Sequence, residues 1–244
     1  MFELESGVWV LAILLALLVG SAKGGVPGVG FLVVPLMAGI FPAKTSTGVL
    51  LPMLLMADVF AVWYYSRHAD WTLLKKLFPS TIIGIFVGAA VMHRVDDGQL
   101  RTLIGVIVLL MIALMLSKEK GWLKVPGIKG SQLAWLVGVG VGLSTMLANA
   151  AGPLASIYFL AMGLDKNRLI GTGAWFFLLI NAFKIPFSIG LGLITLESFV
   201  FNIKLLPVIV VGVFLGILLV KKISPKLFAR LVLFVAAISA IRML

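Results

Sequence analysis

The chain alternates long apolar runs with short polar turns. Gly48 to Tyr65, Leu77 to Met92, Leu100 to Leu116, Leu169 to Leu191, Phe199 to Val220 and Leu227 to Ile241 read as membrane-spanning helices. Two further apolar stretches are interrupted. Gly7 to Ala22 and Gly28 to Phe41 meet at Lys23-Gly24-Gly25-Val26-Pro27-Gly28-Val29-Gly30-Phe31. Four glycines and a proline within nine residues cannot continue a helix, because glycine costs backbone entropy and proline lacks an N–H. As helices the two arms would measure roughly 24 and 21 Å, short of the ~30 Å hydrocarbon core. Leu133 to Ala148 and Leu154 to Gly163 repeat the pattern around Asn149-Ala150-Ala151-Gly152-Pro153. Irregular backbone survives in a bilayer only where protein buries it or water reaches it. Each interrupted pair is therefore expected to form a hairpin, over 7–41 and 133–163.

An internal repeat supports that division. Lys76-Leu77-Phe78-Pro79 followed by Gly84-Ile85-Phe86-Val87-Gly88 matches Lys204-Leu205-Leu206-Pro207 followed by Gly212-Val213-Phe214-Leu215-Gly216, at a constant offset of 128 residues. A second anchor pairs Gly48, Asp58 and Phe60 with Gly171, Asn181 and Phe183, at an offset of 123. The expected organisation is a first repeat over 1–117, a linker over 118–130 and a second repeat over 131–244. The fold class is an all-α integral membrane protein of two inverted repeats, each a broken-helix hairpin plus three transmembrane helices. The inversion comes from the basic residues. If each hairpin enters and leaves on one side, the loops holding Arg67, Lys75 and Lys76, the linker lysines 118, 120, 124 and 129, the Lys166/Arg168 turn and the Lys221/Lys222/Lys226/Arg230 loop all fall in the cytoplasm. The N-terminus and Glu197 then lie outside. Inverted repeats with broken helices meeting near the midplane are the architecture of secondary transporters.

Composition agrees with a membrane protein. Apolar residues make up 61% of 244 and charged residues 12%, with a mean hydropathy of +1.18, against about 25% charged in soluble domains. The net charge of +11 is a property of the loops, and anionic lipid headgroups are its expected partner rather than nucleic acid. No cysteine is present, so disulfides and thiolate chemistry are excluded. Met1 to Ser6 is acidic where a signal peptide would be basic, so Gly7 onward is expected to be retained. The expected location is the cell (inner or plasma) membrane, multi-pass. A homodimer is compatible with such a chain.

Charged and amide side chains inside apolar runs are the candidate chemistry. Lys23 costs roughly 2.5–3.5 kcal/mol at a bilayer centre, which points to an anion contact, or to a side chain snorkelling to the surface. Gly24, Gly25, Gly28 and Gly30, with Pro27 among them, allow backbone amides to approach an oxyanion, or allow close helix packing. Asn149, Gly152 and Pro153 form the matching break, either a helix N-terminus aimed at an anion or a capped kink. Lys184 lies three residues after Asn181 and shares its helix face. It reads as a ligand contact or as the partner of Asp58, the one acid well inside a span. Asp58 could carry a coupled proton or neutralise Lys184 or Lys23. Thr45 and Ser46 open the second span as N-caps or as anion contacts. His68, Trp63 and Trp71 mark an interface.

Enzyme chemistry finds little support. His68 and His93 are the two histidines and fall on opposite sides of the expected topology. No spacing suits a metal, no cofactor motif occurs, and Asp96-Asp97 reads as a helix start.

Lys23 to Leu36, Asn149 to Pro153, Gly171-Thr172-Gly173-Ala174-Trp175-Phe176-Phe177 and Asn181-Ala182-Phe183-Lys184-Ile185-Pro186 resemble the sulfite exporter TauE/SafE family, over about Leu11 to Leu218. Many members carry an uninterrupted G-x-G-G-G, which Val26-Pro27 breaks in this chain. The resemblance implies a permease for small sulfur-containing anions, such as sulfite or organosulfonates, usually proposed to export them. A passive anion channel and a carrier for another carboxylate or oxyanion are close alternatives. An intramembrane enzyme or a lipid-binding scaffold is a distant one.

Overall fold

A computed structural model describes residues 6–26, 28–65, 68–122, 130–219 and 225–244. Ten helices, and no strands, occur among the described residues: α1 (Ser6–Lys23), α2 (Val29–Ile40), α3 (Ala43–Tyr65), α4 (Trp71–Arg94), α5 (Asp97–Glu119), α6 (Gly130–Ala148), α7 (Gly152–Ala161), α8 (Lys166–Gly190), α9 (Leu196–Leu219) and α10 (Pro225–Ile241). Six of them are long and apolar enough to cross a membrane: α3, α4, α5, α6, α8 and α9. Two points depart from expectation: α10, expected as a span over 227–241, is 17 residues long and not among the six, while α6 is. The first arm of the second break is not short, because Ser131 and Gln132 join its first turn and carry α6 to spanning length. Pro27, Arg67, Lys124, Lys129, Lys221 and Lys222 lie outside the described residues.

Short polar signals start the helices. Asp70 caps α4 by accepting from the Leu73 N–H at 3.1 Å. Asp96 and Gln99 form a reciprocal capping box at α5, with bonds of 2.8 and 3.1 Å. Asp165 caps α8, and the N–H of Arg168, then that of Asn167, hold its carboxyl below the usual carboxylate range. Asp96→Ala removes one acceptor from an otherwise bare helix end and is expected to cost about 1 kcal/mol. A lower melting temperature in detergent, restored in Asp96→Asn, would show it.

Two backbone-close crossings carry the packing. α1 lies along α9 with Gly20 and Gly24 facing Gly212 and Gly216. α4 lies along α6 with Gly84 and Gly88 against the stretch holding Gly138 and Gly142. A Cβ on Gly142 would sit 2.7 Å from Gly84 Cα and still closer to the Thr81 carbonyl, and one on Gly20 would strike the Ile209 carbonyl. The glycines of the repeated G-x-F-x-G pattern are thus the residues that admit the broken segments. Small residues serve this purpose in lipid, where dispersion between touching backbones replaces the hydrophobic effect as the driving force. Gly48 and Gly171, from the second repeated anchor, also sit against backbone, the first at Leu193 and the second at Tyr65. Each helix pair joins one half of the chain to the other.

The outward faces are apolar, as lipid requires. Trp63, Leu136 and Phe234 are each about two-thirds or more exposed. The interior holds α3 and α8 side by side, with α1 and α2 against α3. Polar side chains are buried at their centre, namely Asp58, Thr145, Asn181 and Lys184.

Candidate functional site

The first break is a chain reversal built on glycine. Gly25 has φ 112°, and the Val26 N–H reaches the Ser21 carbonyl at 3.2 Å while the Gly25 N–H reaches Ala22 at 3.3 Å. This is a Schellman termination of α1, and a left-handed residue at that position favours glycine. The Gly24 N–H bonds back to Gly20. The amides of 24, 25 and 26 are therefore occupied, and of the two expected readings for Gly24 its contacts fit close helix packing. Gly24 faces α9. The free donors come four residues later, at the start of α2, where Gly28 (φ 86°) provides no side-chain cap. The N–H groups of Val29 and Gly30 find no partner among the described residues.

The second break uses an asparagine. Asn149 adopts φ 52°, a left-handed conformation that asparagine tolerates better than most residues. α7 then starts at Gly152 without a side-chain cap, with Pro153 in its first turn. The Gly152 and Leu154 N–H groups have no partner among the described residues. Two uncapped helix N-termini thus border the same space.

That space is a cavity of about 410 Å³ enclosed by α1, α2, α3, α5, α7, α8 and the end of α6. Its polar wall is Lys23, Asp58, Tyr65, Thr145, Asn149, Ser156 and Asn181, with Gly25, Gly28, Gly30, Gly152 and Pro153 at the breaks. Val19, Val34, Leu50, Leu54, Met115, Phe159 and Phe177 belong to its apolar wall, and Lys118 stands at its edge.

A single hydrogen-bonded relay crosses the centre. Lys23 Nζ pairs with Asp58 Oδ1 at 2.6 Å and lies 4.5 Å from the centre of the Phe177 ring. Asn181 donates Nδ2–H to Asp58 Oδ2 at 2.7 Å. Lys184 donates to Asn149 Oδ1 at 2.6 Å, the Thr145 carbonyl at 2.8 Å, Thr145 Oγ1 at 3.0 Å and Asn181 Oδ1 at 3.2 Å. Asn149 Nδ2–H continues to the Thr47 carbonyl at 3.2 Å. Asp58 and Asn181, which match in sequence at the offset of 123 residues, bond directly to each other. The relay joins two lysines and one aspartate. Lys23 keeps 17% of its side-chain surface, whereas Asp58 and Lys184 keep essentially none.

Other expected site residues fall elsewhere. Lys184 is sealed behind Asn149, Asn181 and Thr145 rather than in the cavity wall. Thr45 and Ser46 lie away from the cavity, because α3 begins at Ala43 and not after them. Ser46 Oγ donates to the Ala43 carbonyl at 2.8 Å, so it caps nothing. Lys44 instead gives its N–H to Asp97. The sequence offered little warning of Thr145, which ends a glycine-rich helix that reads as packing. Nor did it single out Tyr65, whose hydroxyl donates to the Gly24 carbonyl at 3.0 Å and ties α3 to the first break.

The model of one family, described as sulfite exporter TauE/SafE, matches residues 12–243. The chain belongs to that family. No curated protein and no solved structure matches it. Family membership and the six spanning-length helices make it a multi-pass membrane transporter. The match covers both breaks, the relay and both glycine crossings.

Proposed function

We propose that this chain is a permease for small sulfur-containing anions, sulfite or organosulfonates, that works by alternating access. The observation that carries this reading is a relay of two lysines and a single acid beside two uncapped helix N-termini. Helix N-termini favour anions through their free N–H groups and aligned dipoles. The family supplies the sulfur. An anion seated between the α2 and α7 N-termini would also lie against Lys23 on the cavity wall.

Inverted halves give such a site two exits. The α1–α9 and α4–α6 contacts supply two units in which a broken segment of one half rides on a helix of the other. Rocking of these units against α3 and α8 would expose the cavity to either side in turn. In this topology the N-terminus is outside and the basic loops are cytoplasmic. A monovalent anion leaving a cell alone gains about 2.3 kcal/mol per 100 mV of membrane potential, whereas one carried with a proton moves no net charge and follows the anion and proton gradients instead.

Flux in proteoliposomes tests the reading. Saturable uptake of labelled sulfite or sulfoacetate, accelerated by the same anion on the far side, is the expected result. Flux that grows linearly with concentration and ignores trans substrate would mean a channel. No flux of either anion from well-folded protein would refute the sulfur assignment.

A further inference from the structure

The placement of Lys23 raises the question of what Asp58 does when an anion arrives. Lys23 is the more exposed member of the pair, with its ammonium on the cavity wall, while Asp58 is fully buried. One Lys23 ammonium would have to serve both a bound anion and the carboxylate. Its other neighbour, the face of Phe177, cannot replace a counter-ion.

We propose that the transported anion takes Lys23 from Asp58 and that the released carboxylate binds one proton, so that each anion enters the site together with one H⁺. This deepens the permease reading and rests on it. The ion pair between Lys23 Nζ and Asp58 Oδ1 breaks, and Nζ contacts the anion while keeping its three protons. A proton from cavity water forms an O–H bond at Asp58 Oδ1. Asn181 keeps its bond to Oδ2 throughout. The net charge of the loaded site equals that of the empty one.

The surroundings leave the carboxylate no other route. From α1 it meets Lys23, and from α8 it meets Asn181 and, behind it, Lys184. Lys184 is held by four neutral oxygens and forms no direct contact with Asp58. α2 contributes no titratable residue. On α9, Glu197 and Lys204 are exposed. On α5, Lys118 is exposed at the cavity edge. Within α3, Tyr65 is turned to Gly24. An unpaired charge in such a place is expensive, and a carboxyl group neutralises instead.

Calorimetry of ethanesulfonate and sulfoacetate binding, on the full chain in detergent, counts the protons. Ethanesulfonate has no titratable proton near neutrality, so its heats in buffers of different ionisation enthalpy report uptake by the protein. The expected result is one proton taken up per anion, with affinity falling about tenfold per pH unit as pH rises. Asp58→Asn is expected to bind with no proton uptake and no pH dependence. In wild type, anion binding is expected to raise the infrared carbonyl band of a protonated carboxylic acid, so the assignment holds even if the variant does not fold. Binding with no proton taken up, or with no such band, overturns the coupling and leaves the permease intact. No binding of ethanesulfonate, sulfoacetate or sulfite overturns the permease reading itself.

Discussion

Lys184→Met is expected to lose saturable anion flux and to weaken anion binding about a hundredfold. The side chain is 1% exposed and its ammonium meets only neutral acceptors. When protonated, Lys184 has no counter-ion in direct contact, and its charge acts on the cavity next to it. A unit charge about 6 Å from a bound anion contributes roughly 2.8 kcal/mol at an effective dielectric of ~20, which is near a factor of one hundred. Lys184 also holds Asn149 in its left-handed turn, so its loss leaves Asn149 Oδ1 short of a donor, at about 1–3 kcal/mol for such a buried group, while the Thr145 carbonyl keeps the Asn149 N–H at 3.0 Å. The two effects separate by measurement. Sulfoacetate affinity reports the charge, and the melting temperature of the empty protein reports the hydrogen bonds. Lys120→Ala, at an exposed lysine outside the cavity, is expected to leave both unchanged. Wild-type affinity in a folded Lys184→Met protein would end the electrostatic account.

Gly20→Ala and Gly142→Ala are expected to destabilise the fold by about 3 kcal/mol or more, at the upper end of overpacking costs. The new methyl would meet main-chain atoms of the opposite helix, Ile209 and Gly212 in one case and Thr81 and Gly84 in the other. Main chain cannot swing aside as a flexible side chain does, so the helices must separate along their whole contact. Gly39→Ala is the matched control. It lies on an exposed face of α2 with no atom within 4 Å of the added Cβ, and alanine is the better helix former by about 0.8–1.0 kcal/mol. Loss of monodisperse protein in the first two, with the third equal to or better than wild type, is the pattern to look for in size-exclusion and melting profiles. Equal behaviour of all three would show that the crossings are looser than their geometry.

The spans were legible because a bilayer enforces them. Runs such as Phe199 to Val220 announce themselves by length alone, and α9 occupies nearly the same residues. Both breaks were legible for the opposite reason, since Gly24, Gly25 and Pro153 are hard to fit into continuous helix. Contacts between distant segments were harder. Asp58 had two candidate partners in sequence, and only the termination geometry of α1 decides that Lys23 reaches it. Lys184 looked like a ligand contact because a lone lysine in an apolar run demands an explanation. Thr145, some forty residues away, supplies much of that explanation, and neither its type nor its spacing marks it. The glycine amides were undecided for a different reason. A flexible stretch can present its N–H groups to a ligand or bond them to itself, and those of residues 24 to 26 do the latter.

The crossing of α1 with α9 also bears on how the protein is made. Gly20 is synthesised roughly 190 residues before the backbone it rests against, so at ~5–20 residues per second the first hairpin waits in the bilayer for about ten to forty seconds. Through that interval its glycine face is open to lipid or to another helix. Lys23 is covered sooner, because α3 and Asp58 follow within a few seconds. Insertion therefore leaves a long window in which α1 is charge-neutralised yet unpacked, a form that membrane insertion factors and quality-control proteases would meet before the finished transporter exists.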